Sequence, residues 1–218
     1  MHNVFFIMRV YQSYVRMKKV QHEYKIINMI FLPEIKVSML AVISLDGKIA
    51  RTASDSLEWG SPEDKQFLKE FLDHSDLSIL GRKSFELSQN IMSKRNCVIL
   101  SRNLPPVDSG MKRTEGSHIL SYVNPDLIDF RRWLLRSFRF PKKSISILGG
   151  AEVYRYFLSR DWIDEIYLTI EPKIFGTGIS LLASELDDLD IELHLLSQSR
   201  INDKGTLLLH YSVRSGRN

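Results

Sequence analysis

The chain has 218 residues, 44% of them hydrophobic, one cysteine and a formal net charge of +4. That length and apolar content suit one sizeable α/β domain with an appendage. The lone cysteine excludes a disulfide framework and points to a reducing, cytoplasmic setting, and no apolar run reaches the length of a membrane span. Residues 1–36 hold Arg9, Arg16, Lys18, Lys19, Lys25 and Lys36 against Glu23 and Glu34. They carry the whole charge excess and leave the remainder near neutral, which argues against a nucleic-acid surface.

The N-terminal segment MHNVFFIMRVYQSYVRMKK is aromatic and basic, without the long apolar core or small-residue cleavage site of a signal peptide. It reads either as a targeting or membrane-surface segment or as an extension outside the core. The second reading is preferred, with residues 1–36 as extension and 37–218 as the folded domain.

From there the pattern is regular. Residues 37–44 (VSMLAVIS) read as a buried strand, Asp46-Gly47 as its turn and 51–61 (RTASDSLEWGS) as a loop. A helix is predicted over SPEDKQFLKEFLDHS, with Ser61 as N-cap, Pro62 at N1 and Asp64 as the acid of a capping box. LSILG is a strand, RKSFELSQN a short helix, and NCVILS a strand that ends before the Leu104-Pro105-Pro106 breaker. Cys97 opens the apolar run of that last strand, as a buried thiol rather than a nucleophile. HILSYV is a strand, and PDLIDFRRWLLRSF an amphipathic helix starting at Pro125. SISILGG and AEVYRYFLSR follow as strand and helix. EIYLTIEPKIF is one long strand in which Pro172 suggests an edge or a bulge. IELHLLSQSRI and TLLLHYSV form a terminal hairpin about Asn202–Gly205. Strands alternating with helices predict a mixed, mostly parallel sheet with helices on both faces and a C-terminal antiparallel hairpin.

Three places look chemical. Gly149-Gly150 separates a strand from a helix, where missing side chains and free N–H groups suit a phosphate; a turn needed only for packing is the alternative. Gly81-Arg82-Lys83-Ser84 also opens a helix, and Ser101-Arg102 ends the next strand. If those strands are parallel neighbours, three cations and two hydroxyls converge at their carboxyl ends, where α/β sheets bind ligands. That convergence suits a 2′-phosphate and hence NADPH; separately, each is a solvated basic turn. Asp64, in a helix's first turn near Trp59, is either a proton donor raised by burial or a surface capping acid. The histidines show no metal-ligand spacing.

Taken together, LGRKSFE, CVILSR, ILGGAEVY and YLT resemble dihydrofolate reductase, while SLDGKIA and IDEIYLTIEPKIFGTG are similar to the reductase domain of the bifunctional riboflavin-biosynthesis deaminase–reductase. The resemblance runs from about Val37 to Val213. It implies the dihydrofolate-reductase-like three-layer α/β/α sandwich and an NADPH-dependent oxidoreductase. Gly149, Gly150, Ala151, Glu152 and Val153 would then hold the cofactor pyrophosphate. Gly81, Arg82, Lys83, Ser84, Ser101 and Arg102 would grip the adenosine phosphates, and Lys48 and Asp46 would position a loop over the nicotinamide. Asp64 becomes the residue on the proton side, with Glu63 behind it. Trp59 and Thr169 would line the pocket, and Arg95 falls where that family binds the folate carboxylate. The preferred reaction is reduction of 5-amino-6-(5-phosphoribosylamino)uracil in riboflavin biosynthesis, with dihydrofolate or another pterin as the alternative substrate. A cofactor-binding protein without turnover is the reading from another class. A homodimer is the expected assembly, with no nucleic-acid or membrane partner.

Overall fold

The computed structural model describes residues 35–55, 57–103, 111–113, 118–182 and 190–213. Most of the predicted extension and the 104–106 breaker therefore lie outside the described residues; Lys36 already belongs to the first strand. The strands are β1 (Lys36–Ser44), β2 (Lys48–Ala50), β3 (Leu77–Gly81), β4 (Cys97–Leu100), β5 (Met111–Arg113), β6 (Ile119–Val123), β7 (Ser144–Ile147), β8 (Glu165–Glu171), β9 (Ile179–Ser180), β10 (Leu193–Arg200) and β11 (Leu207–Val213). The helices are α1 (Pro62–Asp73), α2 (Arg82–Leu87), α3 (Gln89–Met92), α4 (Phe130–Ser137) and α5 (Ala151–Leu158).

Nine strands form one sheet in the order β10-β11-β8-β1-β7-β3-β4-β6-β5, and β2 pairs with β9 in a small second sheet. The run from β8 through β6 is parallel. Antiparallel pairs close both ends: β5 on β6, β11 on β8, and the hairpin β10–β11. The parallel strands point their carboxyl ends the same way, which places Ser44, Gly81, Leu100 and Ile147 along one rim.

Parallel strands buried on both faces read as continuous apolar runs, and β3 (LSILG) and β4 (CVIL) do so. Cys97, Ile99, Leu80 and Leu120 pack under Leu72 of α1, Phe85 of α2 and Met92 of α3. Val98 alternates to the opposite face and is equally inaccessible. An aromatic cluster joins α4 to α5: Phe130 meets Trp133, Tyr156, Phe157 and Trp162 at centroid distances of 5.8–6.5 Å. Each fully buried large side chain contributes about 1.5–3 kcal/mol, so these two clusters hold the helix layers to the sheet. Cys97 is a buried thiol, pushed up to about 12 by burial.

Four local expectations are corrected. The helix expected from Pro125 begins at Phe130, because Asn124 turns the chain by accepting from the Asp126 amide and Asp129 caps the helix by accepting from the Arg132 amide. RKSFELSQN divides into α2 and α3 at Ser88, whose hydroxyl bonds back to the Ser84 carbonyl. The long strand ends at Glu171 rather than running through Pro172. That strand is no edge: β8 is paired by β1 on one side and β11 on the other. Pro172 follows the last paired residue, where its missing N–H breaks no ladder.

Candidate active site

A cleft of about 1060 Å³ opens along the rim formed by the carboxyl ends of the parallel strands. One side is a glycine cradle. The Gly81 amide donates to the Gly149 carbonyl at 2.7 Å, tying the end of β3 to the turn after β7. Gly149 has φ +89°, and a Cβ there would stand 2.6 Å from the Tyr154 ring, so only glycine fits. Tyr154 is anchored by its hydroxyl, which donates to the Leu40 carbonyl of β1 at 2.6 Å. Gly150 caps α5 and Gly81 caps α2, and neither cap offers a side chain to the helix amides. Two helix starts that no side chain caps thus sit side by side, as their approach shows: a Cβ on Gly81 would touch Val153 Cγ2 at 3.4 Å. Such ends attract phosphate through aligned amides and the helix dipole.

Arg82, Lys83, Ser84, Ser101, Arg102, Gly150, Ala151, Glu152 and Val153 all line the cleft, as does Gly81. β3 and β4 are parallel neighbours in register, Gly81 beside Leu100, which is why the residues following each strand meet. Asn124 holds this corner by donating to the Arg102 carbonyl at 3.1 Å. The guanidinium of Arg102 pairs with Glu152 at 2.7 Å, and that of Arg82 with Glu86 at 3.1 Å. Farther along, Arg160 lies 3.7 Å above the Tyr156 ring, and both line the same cleft.

The other side centres on Asp64. Ser61 caps α1 by accepting from the Asp64 amide at 3.3 Å. In a capping box the acid would reach back to the cap's own N–H. Here Glu171, at the end of β8, takes that N–H at 2.6 Å through Oε1, while its Oε2 accepts from the Thr206 hydroxyl at 2.8 Å. The Asp64 carboxyl is thereby released into the cleft, where it hydrogen-bonds Thr169 and is 8% exposed. Burial, reinforced by the nearby Glu171 charge, raises its pKa against the opposing pull of Thr169. Leu40, Val42, Phe67, Leu68 and Tyr167 provide apolar walls. This side can receive a flat, partly apolar ring and offer it one carboxyl group.

Six residues singled out from the sequence are not brought to the cleft surface. Gly149 lies behind the cradle it shapes. Arg95 pairs with Asp73 at 2.6 Å, at the far end of α1. Glu63 accepts from Asn202 of the β10–β11 turn. Trp59 is buried edge-on against Phe175, with Lys173 donating to its carbonyl. Asp46 accepts from the Ser44 hydroxyl and from the Phe175 and Gly176 amides, which draw its carboxyl down to about 2; it ties the β1–β2 turn to the segment after β8. Lys48 reaches Ser180 of β9 at 3.0 Å, clamping β2 so that Ile49 and Ala50 face the cleft. Sequence reasoning did not find Glu171. Its signal is an acid closing the apolar strand EIYLTIE, yet it is 3% exposed.

Among the described residues, no helix is long and apolar enough to cross a membrane, and no cluster of His, Cys, Asp and Glu is arranged to hold a metal ion. Comparison with known structures gives the same architecture. A pyrimidine reductase-like protein from Corynebacterium diphtheriae superposes with a TM-score of 0.63 at 20% identity, over 86% of this chain and 98% of that one. The diaminohydroxyphosphoribosylaminopyrimidine deaminase/5-amino-6-(5-phosphoribosylamino)uracil reductase of Thermotoga maritima gives 0.59 at 18% identity, over 83% of this chain and 57% of that one. Dihydrofolate reductase from Enterococcus faecalis, complexed with NADP(H), gives 0.57 at 17% identity, over 83% and 97%. At these identities the likeness establishes the fold. The sequence pattern of the family described as dihydrofolate reductase matches residues 36–178. With the strand order and the glycine cradle in place, the chain belongs to the dihydrofolate reductase family.

Proposed function

We propose that the protein is an NADPH-dependent reductase that reduces a C=N bond on or beside a pyrimidine ring. The observation that carries this reading is one cleft with a phosphate cradle on one side and a buried carboxyl, Asp64, on the other. The cradle fits a dinucleotide: its glycines leave room for a backbone to approach a pyrophosphate, and Lys83, Arg82 and Arg102 supply cations for a 2′-phosphate. Bound NADPH would supply hydride. The residues of this chain have the remaining tasks. Ile49, Ala50 and the apolar walls exclude water, the cradle fixes the cofactor's position, and Asp64 stands ready to deliver a proton to the substrate nitrogen as its neighbouring carbon is reduced. Its raised pKa keeps a larger fraction protonated than an ordinary carboxylate would have.

The substrate we favour is 5-amino-6-(5-phosphoribosylamino)uracil, reduced to the ribityl form. The likeness to pyrimidine reductases supports this choice, as does Arg95, which is held by Asp73 away from the cleft where a folate carboxylate would need it. One observation favours a second reading, a dihydropterin: the Asp64–Thr169 pair on the cleft wall presents a carboxyl group and a hydroxyl to an amino-pyrimidine edge. A homodimer in the cytoplasm remains the expected setting.

The test follows NADPH absorbance with purified protein and each substrate offered separately. Oxidation with the phosphoribosylaminouracil alone supports the favoured reaction. Oxidation with a dihydropterin alone replaces it with the second reading. NADPH binding without turnover of either would leave a cofactor-binding protein and overturn both reactions.

A further inference from the structure

In the cofactor cradle the geometry points to Glu152 as a gate on 2′-phosphate recognition: in the free protein it clasps the arginine that the phosphate needs, and so narrows discrimination between NADPH and NADH. This rests on the reading of the cleft as a dinucleotide site. Three observations carry it. Glu152 lies in the first turn of α5, beside the uncapped amides of the cradle. Its Oε2 is 2.7 Å from Arg102 Nη2, and both residues line the cleft. Arg102 is fixed from behind, since Asn124 holds its carbonyl.

An acid at this place has a chemical meaning. A carboxylate accepts the 2′-hydroxyl of an unphosphorylated ribose, whereas an arginine receives a 2′-phosphate. Here the two are joined as one ion pair. Both partners are more than half exposed, at 68% and 60%, so the pair itself is weak and opens readily. Opening it does not remove the carboxylate, which then faces a phosphate carrying about −1.5 to −2 charge. The second arginine, Arg82, is likewise paired, with Glu86 at 3.1 Å, so each of the two cradle arginines already faces a carboxylate.

Glu152→Gln keeps the size and hydrogen-bonding reach of the side chain and removes its charge. Calorimetric titrations with NADPH and with NADH, on the full-length wild type and on E152Q, test the gate directly. The expected result is NADPH binding tightened about five- to tenfold, the effect of one screened unit charge at close range, with NADH unchanged or weakened. The gain should shrink at high salt, where such charges are screened. Circular dichroism confirms folding of the variant, which alters an exposed side chain only. Wild-type NADPH binding with no change in E152Q overturns the gate and leaves the dinucleotide reading standing. Weaker NADPH binding by E152Q also overturns it, since Glu152 would then support Arg102 rather than contest it. Binding of neither nucleotide by the wild type overturns the gate and the dinucleotide reading together.

Discussion

Asp64 owes its position to a substitution of partners: a capping acid whose reciprocal bond has been taken by Glu171 is free to face a cleft. Its raised pKa has a sign that can be checked. The folded protein holds this proton more tightly than the unfolded chain does, so the stability it contributes is full below the ordinary carboxylate value of about 3.9 and is lost as pH rises through the raised value. Asp64→Asn is therefore expected to be more stable than the parent in urea melts near pH 8, with the gap closing toward about pH 4. The same variant should lose about 10²- to 10⁴-fold in kcat/KM and the fall in activity that accompanies deprotonation at rising pH. Gly149 supplies a second test. Alanine there meets the Tyr154 ring at 2.6 Å with φ +89°, and about 2–4 kcal/mol of destabilisation is expected. Gly176→Ala, at φ +73° with open space around it, should be destabilised by only about 1–2 kcal/mol. Equal losses in denaturant unfolding would show that backbone strain alone, without the ring, sets the requirement. At this scale the cradle was legible in the sequence because its residues are short runs beside strand ends. The fate of Asp64 was not, because the partner that frees it is 110 positions from Ser61. The pairing of Arg95 with Asp73 was hidden for a related reason: its place before a strand gave no sign of an acid 22 positions back at the end of α1.

Elements were legible where one residue type governs their boundary. Ser61-Pro62 started α1 as expected, and Gly-Gly separated β7 from α5. Pro125 was a poorer guide than Asp129, because proline only permits a helix start whereas a capping carboxylate satisfies an orphan amide. The short pair β2–β9 left no pattern to read: three residues and two residues are too few for alternation to emerge. Yet these minor strands carry Ile49 and Ala50 to the cleft. Glu171 joins three elements at once, through the Ser61 amide at the head of α1, its own place at the end of β8, and Thr206 beside the β10–β11 turn. Glu171→Ala leaves the half-buried Ser61 amide and the buried Thr206 hydroxyl without this acceptor, which is expected to destabilise the protein by about 2–3 kcal/mol. It should also lower kcat/KM, since α1 presents Asp64. Glu171→Gln retains an acceptor for the Ser61 amide and should keep most of the activity. If alanine and glutamine variants lose stability alike while activity holds, Glu171 is a structural tie that does not position Asp64.

On the scale of the whole molecule, the cleft is a junction rather than a dent in one element. β1, β3, β8, α1, α2 and α5 all contribute to its walls, and the sheet order brings β7 between β1 and β3 so that chain segments far apart in sequence meet there. A ligand bound across that junction is linked to global unfolding. NADPH at one hundred times its dissociation constant is expected to add about 2.7 kcal/mol to stability, or roughly 5–10 °C in Tm for a domain of this size. Hydrogen exchange would separate two contributions. Core amides of β3 and β4, which exchange only on global opening, should all slow by the same factor of about one hundred. Amides of 81–84 and 149–153 should slow at least as much, being covered by the ligand as well. The edge strand β10 is exposed along its whole length and opens locally, so its amides should change little. Uniform slowing that includes β10 would mean that the hairpin and the cleft unfold as one unit. Slowing confined to 81–84 and 149–153 would mean that the cradle closes on its ligand without drawing on the stability of the sheet behind it.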